Sequence, residues 1–162
     1  MTTDPALGDP GAALLEGAVI AHLDASDDQA VLAALADSLT VAGRVTATFA
    51  DAVRDRERRF PTGLPTAVPC AIPHTDADHV LRPGLALATL AHPVSFGLMG
   101  GTGAERLDVE LVVMLVLDDA HAQVGALQHL IARLQDVDAV RSLLSATDED
   151  ALRAAAQAWL RG

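Results

Sequence analysis

The sequence contains no lysine, no tyrosine and a single cysteine among its 162 residues. Because all 11 basic residues are arginine, the chain cannot use a Schiff-base lysine or the phosphate-binding lysine of a P-loop. Without tyrosine, no phenol can act as a catalytic acid or base. Cys70 alone can form neither an internal disulfide nor a cysteine-rich metal site. We expect Cys70 to be a small buried hydrophobic residue rather than a nucleophile.

Aromatic side chains are also scarce, at 2% of the residues, and the formal net charge is −11. An acidic surface repels phosphate backbones, and too few aromatic rings are present to stack on bases. The composition therefore argues against nucleic acid as a partner. Hydrophobic residues make up 51% of the chain, which is enough for a sizeable aliphatic core and favours one domain at this length.

Neither a signal peptide nor a membrane span is predicted. The start of the chain carries Asp4 and Asp9, where a signal peptide would need basic residues. The longest uninterrupted apolar run, Leu111–Leu117, is far shorter than the ~20 residues that cross a bilayer. We therefore expect a cytoplasmic protein in which residues 1–11 form a flexible leader and residues 12–162 form one layered domain.

One strand and two helices are predicted for the first part of this domain. Alternating apolar residues predict an edge strand at Ala18–Leu23. The segment Ser26–Gln29 has capping-box spacing, which predicts a helix start, and Gly43 predicts its end. A second helix is predicted over Thr46–Arg59, followed by the helix-breaking residues 60–63. The first helix should bury an apolar stripe made of Val31, Leu32, Leu35 and Leu39.

The rest of the chain predicts further strands and then helices. Strand character appears at Thr66–His74 and Pro83–Phe96, with a glycine-rich turn at Gly97–Gly103. The nearly continuous apolar segment Leu107–Leu117 is typical of a central strand covered on both faces. From Val124 onward the apolar spacing is helical. Helices on both sides of a sheet indicate an α/β layered fold.

His74 is the strongest candidate for chemistry, because it follows Pro73 at the end of a predicted strand. The proline ring fixes its own φ and keeps Ile72 extended, so the imidazole is carried by a stiff segment. An imidazole titrates near neutral pH and can be a nucleophile, a base or a metal ligand. A lone Pro-His pair, by itself, more often contains a purely structural histidine.

Two other features are suited to binding an anion. His121 lies at a predicted helix start, where the helix dipole favours a neutral imidazole and attracts phosphate. A group of arginines alternates with Asp55 and Glu57, so most of it is expected to form a solvated, ion-paired helix face. One of these arginines, turned inward, would clamp a phosphoryl group. The group consists of Arg54, Arg56, Arg58 and Arg59.

A metal centre is the alternative chemistry for His74. Together with His79 and Asp118, His74 would suit a small metal-dependent hydrolase, but the paired-histidine helix spacing that zinc sites use is missing. We therefore expect no metal and no other cofactor. The glycine-rich segment 97–103 resembles a phosphate loop, but no lysine follows it, so a turn between strands is favoured.

The order of these motifs resembles the enzyme IIA domains of the sugar phosphotransferase system (PTS), in the fructose/mannitol/galactitol class. The resemblance spans about residues 12–160. The shared motifs are Arg56-Glu57, Thr62-Gly63, Ala71-Ile72-Pro73-His74, the strand with Pro93, the segment 111–117 and His121 ahead of a Leu-rich helix. The features most similar to the galactitol-type branch are Phe60–Leu64, Phe96-x-x-Met99-Gly100 and His121-x-Gln123.

The resemblance implies a sheet of mixed parallel and antiparallel strands between helices. It also implies a phosphotransferase that works through a phosphohistidine: His74 would accept a phosphoryl group from phosphorylated HPr and pass it to a cysteine of an enzyme IIB. Sugar uptake would then involve the membrane enzyme IIC indirectly. By the same resemblance, His121 would be the second histidine and Arg56 the phosphate-binding arginine, with Thr62 and Gln123 as further phosphate-supporting candidates.

Several assignments stay open at this point. Gln123 can take the supporting role as readily as His121, and Arg58 or Arg59 is close enough to substitute for Arg56. A regulatory protein of the same fold, whose phosphorylation state signals to protein partners, would need the same histidine.

Overall fold

A computed structural model describes residues 14–117 and 120–161, with the backbone alone at 14–17, 120–124 and 126. Within these ranges five strands form one sheet. The predicted leader, residues 1–11, lies outside the described residues. The strands are β1 (Leu14–Leu23), β2 (Gly63–Leu64), β3 (Cys70–Ala71), β4 (Gly84–Gly97) and β5 (Arg106–Val116).

Helices cover most of the remaining described residues. The second helix starts at Phe49, slightly later than predicted, with Thr48 at its N-cap. Among the described residues, no helix is both long enough and apolar enough to cross a membrane. The helices are α1 (Asp28–Val41), α2 (Phe49–Arg59), a 3-10 helix (Ala77–His79), α3 (Ala120–Leu134), α4 (Val137–Ser145) and α5 (Glu149–Arg161).

The sheet is mixed, as predicted, and its strands lie in the order β1-β4-β5-β3-β2. Strands β4 and β5 form an antiparallel hairpin, joined by the predicted glycine-rich turn. Strand β1 pairs with β4 in parallel, and β3 pairs with β5 in parallel. The short strand β2 pairs with β3 in antiparallel orientation. Strand β1 is therefore an edge strand and β5 the central strand, as the sequence predicted.

Helices cover both faces of the sheet and enclose two aliphatic cores. On one face, α1 and α2 bury Leu35 and Phe49 against the sheet. On the other face, α3, α4 and α5 bury Leu134, Leu143 and Leu152. The predicted stripe of α1 is buried as a whole. These two layers of helices confirm the α/β layered fold.

The start of α1 differs from the predicted capping box. Asp27, rather than Ser26, is the N-cap, and its carboxylate accepts a hydrogen bond of 2.8 Å from the Ala30 amide. Gln29 does not turn back to the helix start, because its Oε1 accepts a 3.2 Å hydrogen bond from Nε of Arg54 on α2. Asp27 stands immediately before the first helical residue and caps equally well. Gln29 thereby links α1 to α2.

Gly63 and Gly97 allow two segments of the sheet edge to approach closely. A Cβ on Gly63 would lie 2.5 Å from the Gly97 carbonyl oxygen, which no side chain tolerates. The Met99 amide also donates a 2.8 Å hydrogen bond to the Gly63 carbonyl. This contact fixes the segment after α2 against the end of β4. It therefore fixes the chain that leads into β2 and β3.

We expect Leu35→Ala to lower the free energy of unfolding by about 2–5 kcal/mol, because it opens a cavity in the α1–α2 core. Leu35 is fully buried, whereas Leu81 is 59% exposed. Leu81→Ala is therefore the matched control and should cost about 1 kcal/mol or less. Urea unfolding followed by circular dichroism measures both values. Equal losses in the two variants would contradict the assignment of this core.

Candidate functional site

His74 lies just beyond β3 on a segment that stays hydrogen-bonded to the central strand. The Glu110 amide donates to the Pro69 carbonyl at 3.0 Å, and the Leu115 amide donates to the Pro73 carbonyl at 3.0 Å. The paired segment therefore extends on both sides of the two residues of β3. The sequence predicted a longer strand ending at His74, whereas regular strand geometry ends at Ala71. The prediction that a stiff segment carries this imidazole agrees with the structure.

The imidazole of His74 is oriented by one hydrogen bond. Its Nδ1 lies 2.9 Å from the Ile72 carbonyl oxygen. A carbonyl only accepts hydrogen bonds, so Nδ1 carries the proton and donates it. The lone pair of the neutral ring is then on Nε2. The bond fixes both the tautomer and the direction of the ring.

The pKa of His74 is lowered from its ordinary value, so the neutral ring is favoured at neutral pH. Burial is the largest cause, because a charged imidazolium loses hydration there. The hydrogen bond to Ile72 raises the pKa, the nearby charge of Arg56 lowers it, and Asp76 raises it. His74 is therefore placed within electrostatic reach of one cation and one carboxylate. A neutral imidazole is the form that can act as a nucleophile.

Arg56 is the arginine of the cluster that turns inward. Its Nε is buried and has no hydrogen-bond partner among the described residues. Its guanidinium carbon lies 5.3 Å from the ring centroid of Phe60, a cation–π distance. By contrast, Arg59 forms an ion pair with Asp55 on the exposed helix face. Arg54 differs from both, because its Nε donates to Gln29 of α1, so the predicted ion-paired face is limited to Arg59 and Asp55 among the described contacts of the cluster.

A small pocket of about 160 Å³ lies between α2 and the segment that follows His74. Its wall contains two guanidinium groups, the imidazole of His79 and two carboxylates. Thr75, the residue after His74, is buried and forms part of the wall. The lining residues are Ala52, Asp55, Arg56, Arg59, Phe60, Thr75, Asp76 and His79.

Glu57 corrects the prediction that it belongs to a solvated, ion-paired face. The residue is only 4% exposed. Its Oε2 accepts a 2.6 Å hydrogen bond from the Thr62 amide, and its Oε1 accepts one of 2.5 Å from the Thr62 hydroxyl. Both donors of Thr62 are therefore engaged with this carboxylate. The sequence did contain a signal, since Phe49, Val53 and Glu57 recur at four-residue spacing along one helix face.

Burial raises the pKa of Glu57 from 4.5 to about 7, because a carboxylate loses hydration in the interior. The hydrogen bonds from Thr62 oppose this increase. The nearby carboxylate of Asp28 raises the pKa further, and Arg56 lowers it. Glu57 consequently titrates within the physiological range, which a surface glutamate would not do.

The topology brings the start of α3 to the same edge of the sheet as His74. Strands β3 and β5 are parallel neighbours, so their carboxyl ends meet at one edge. His74 follows β3, and residue 121 is the second residue of α3, the helix that follows β5. The side chains of His121 and Gln123 lie outside the described part of the structure.

The other cysteine, histidine and acidic candidates have different surroundings. Cys70 is fully buried, and burial raises the pKa of its thiol to about 11, as expected for a structural residue. The ring of His79 shares a 2.8 Å hydrogen bond with the Thr48 hydroxyl. Among the described residues, no group of three or more metal-ligating side chains is placed to hold an ion. Asp118, the third ligand of the metal alternative, lies outside these residues.

The sequence pattern of a known family covers nearly the whole chain. The model of the family described as "Phosphoenolpyruvate-dependent sugar phosphotransferase system, EIIA 2" matches residues 13–158. The chain belongs to this family. The predicted resemblance and the predicted enzyme class, a phosphotransferase, are therefore confirmed.

Individual relatives agree with this EIIA assignment. The PTS galactitol-specific EIIA component of Escherichia coli (strain K12) is 28% identical over 120 residues, which cover 74% of this chain and 79% of that protein. The chain also has the fold of solved EIIA structures. Enzyme IIA of the mannitol system, solved in a complex with phosphorylated enzyme IIB from Escherichia coli, has a TM-score of 0.70 at 21% identity, covering 90% of this chain and 99% of that one.

A regulatory protein also shares this EIIA fold. The nitrogen regulatory protein IIA-Ntr from Neisseria meningitidis has a TM-score of 0.68 at 17% identity, with 90% of this chain and 97% of that chain covered. The chain is thus similar in fold both to enzyme IIA of the mannitol system and to a nitrogen regulatory protein.

Glu57 gives the folded EIIA domain a specific pH dependence. Because its pKa is higher in the folded state, the folded protein binds more protons than the unfolded chain, and stability falls as pH rises. Relative to Glu57→Gln, the wild-type protein should lose about 2 kcal/mol of unfolding free energy between about pH 5.5 and about pH 8. Denaturant titrations of both proteins across this range measure the difference. A difference that stays constant with pH would contradict the raised pKa.

Proposed function

We propose that this chain is a phosphocarrier of a cytoplasmic sugar phosphotransferase system. His74 takes a phosphoryl group from phosphorylated HPr and passes it to a cysteine of an enzyme IIB, and the membrane enzyme IIC then uses it indirectly in sugar uptake. Membership of the EIIA family and the mannitol IIA–IIB complex support this assignment. The observation that carries it is the hydrogen bond between Nδ1 of His74 and the Ile72 carbonyl, which leaves Nε2 as the nucleophile.

The proposed transfer consists of two balanced substitutions at phosphorus. The Nε2 lone pair attacks the phosphoryl group of phospho-HPr, and the phosphorus–nitrogen bond to HPr breaks as the new one forms. The Nδ1 proton stays on the ring and continues to donate to the Ile72 carbonyl. A thiolate of enzyme IIB then attacks phosphorus, and the bond to His74 breaks. Catalysis consists mainly of in-line positioning and charge stabilisation.

Arg56 is the group proposed to stabilise the charge of the transferred phosphoryl group. Its Nε has no partner among the described residues, and its charge already acts on His74. A planar guanidinium binds phosphate oxygens with two parallel donors. His121, or alternatively Gln123, assists from the first turn of α3, where the helix dipole favours an anion. Both hydrogen-bond donors of Thr62 bind Glu57. We therefore propose that Thr62 supports the transfer indirectly, through its contact with this carboxylate.

His74→Ala should abolish phosphorylation, because the variant lacks the accepting nitrogen. The control is His92→Ala, since His92 is exposed and contacts Asp24 away from the site. Incubation with phosphoenolpyruvate, enzyme I and HPr, followed by intact-mass measurement, should show one added phosphoryl group in wild type and control alone. Heteronuclear NMR of the product should place phosphorus on Nε2. Phosphate uptake by His74→Ala, or phosphorus on Nδ1, would contradict the proposal.

Arg56→Gln should slow phosphoryl transfer on the order of 10²-fold, as loss of one transition-state donor does. The same variant should destabilise the phosphorylated form more than the free form, because the phosphate then lacks its counter-charge. Arg141→Gln, which removes an exposed arginine of α4, is the control of equal charge change. Quench-flow rates and the melting temperatures of both forms are the measurements. Unchanged rates in Arg56→Gln would transfer the role to Arg58 or Arg59.

A further inference from the structure

We propose that Glu57 is a positioning residue for His74, acting through a chain of hydrogen bonds that runs from its carboxylate through Thr62 and Ile72 to the imidazole. This proposal rests on the proposed function, in which the imidazole is the phosphoryl acceptor. It concerns how the ring is held rather than which atom reacts.

The chain of contacts is continuous. Glu57 accepts two hydrogen bonds from Thr62, one from its amide at 2.6 Å and one from its hydroxyl at 2.5 Å. The Thr62 carbonyl accepts a 3.3 Å hydrogen bond from the Ile72 amide. The Ile72 carbonyl accepts the Nδ1 proton of His74 at 2.9 Å. Three successive bonded steps therefore connect α2 to the reacting ring.

Burial makes the first step of this chain strong. Glu57 is 4% exposed and Thr62 is 3% exposed, so neither exchanges its partner for water. A buried donor left without its acceptor costs free energy, which holds the Thr62 backbone in place. The segment is fixed from its other side as well, because Gly63 packs against the Gly97 carbonyl. These contacts on both sides fix the position of the Thr62 carbonyl group.

Ile72 transmits this position to the histidine. Its amide is bound by Thr62, its side chain is fully buried, and the following Pro73 restricts its backbone to extended conformations. The direction of its carbonyl is therefore set before the imidazole binds to it. A movement of Thr62 would move this carbonyl and with it the acceptor of the Nδ1 proton.

Glu57 acts through these bonds rather than through its charge. The charged groups that perturb the pKa of His74 are Arg56 and Asp76, on α2 and directly after the histidine. Variants that disturb the chain should therefore change the tautomer and orientation of the ring.

The decisive experiment compares Thr62→Val with Thr89→Val. Both substitutions remove a hydroxyl from a buried threonine that makes a hydrogen bond. Within the described part of the chain, however, the Thr89 hydroxyl accepts from the His22 amide on β1 and takes no part in the chain of bonds to His74. Nitrogen-15 NMR of the unphosphorylated protein measures the His74 tautomer, and rapid-quench kinetics measure transfer from phospho-HPr.

In Thr62→Val we expect the Nδ1–H tautomer to lose its dominance. The transfer rate at saturating phospho-HPr should fall between about tenfold and about a hundredfold, with the KM for phospho-HPr unchanged, because a misplaced nucleophile affects the chemical step. Thr62→Ser should restore both readouts. Thr89→Val should lower the melting temperature without changing the tautomer or the rate. Identical tautomer and rate in Thr62→Val and Thr89→Val would overturn the proposal.

A second pair of variants tests Glu57 itself. Glu57→Gln keeps one acceptor oxygen opposite Thr62, whereas Glu57→Ala removes the acceptor, so the tautomer bias should be retained better in Glu57→Gln. If Glu57→Ala does not fold, the Thr62 variants decide the matter. A folded Glu57→Ala with the wild-type tautomer would overturn the proposal. Absence of phosphate on His74 in the wild-type protein would instead refute the proposed function. The two failures are distinguishable, because the tautomer is measured on the unphosphorylated protein and does not depend on transfer.

Discussion

The packing of the central strand β5 determines the rest of the structure. Its residues alternate between the two cores: Val112 and Met114 face the α1–α2 side, while Val113 and Leu115 face the α3–α5 side. A strand covered on both faces cannot slip by one residue without exchanging both sets of side chains. The same strand binds β4 on one side and β3 on the other. Its register therefore determines how β3 and β4 are positioned along the strand direction.

The position of the candidate site follows from that register. The Leu115 amide holds the Pro73 carbonyl, so the residue that follows this proline emerges at a fixed level beside the end of β5. The helix after β5 begins at the same edge. Helix α2 supplies Arg56 and Glu57, two adjacent residues with different surroundings. One is a cation whose Nε has no partner in the parts of the chain that the structure describes, and the other is a buried carboxylate hydrogen-bonded to the Thr62 backbone amide.

Local sequence patterns were sufficient for much of this architecture. Strands β4 and β5 and the buried stripe of α1 were predictable because continuous or periodic burial appears directly in neighbouring residues. The bounds of the two-residue strands β2 and β3 depend on which residues pair with each other and with β5. Local sequence does not contain this pairing, so it predicted only a longer extended segment there. Asp27 and Ser26 are both competent caps, and the choice between them depends on where the first helical turn begins.

The candidate site was predictable to a smaller extent. His74 was identified by its Pro-His motif and Arg56 by its place in the resemblance, and their roles stay predictions. Glu57 was assigned to the solvent because it lies among four arginines. Its burial depends on Thr62, which lies beyond the end of the helix, and a single-helix pattern does not contain that partner. The four-residue spacing of Phe49, Val53 and Glu57 pointed to an inward position, but only the tertiary contact showed which residue binds the carboxylate.

The parallel pairing of β1 with β4 has a consequence for synthesis of the chain on the ribosome. Leu23 pairs with Leu90, and β4 in turn needs β5 as its other neighbour. A nascent chain that has emerged only as far as α2 has an edge strand without a sheet and two helices without the surface they cover. The β4–β5 hairpin is the local unit that can form early, since its strands are joined by a short turn. The apolar faces of the N-terminal helices therefore stay accessible to chaperones until the middle of the chain has left the ribosome.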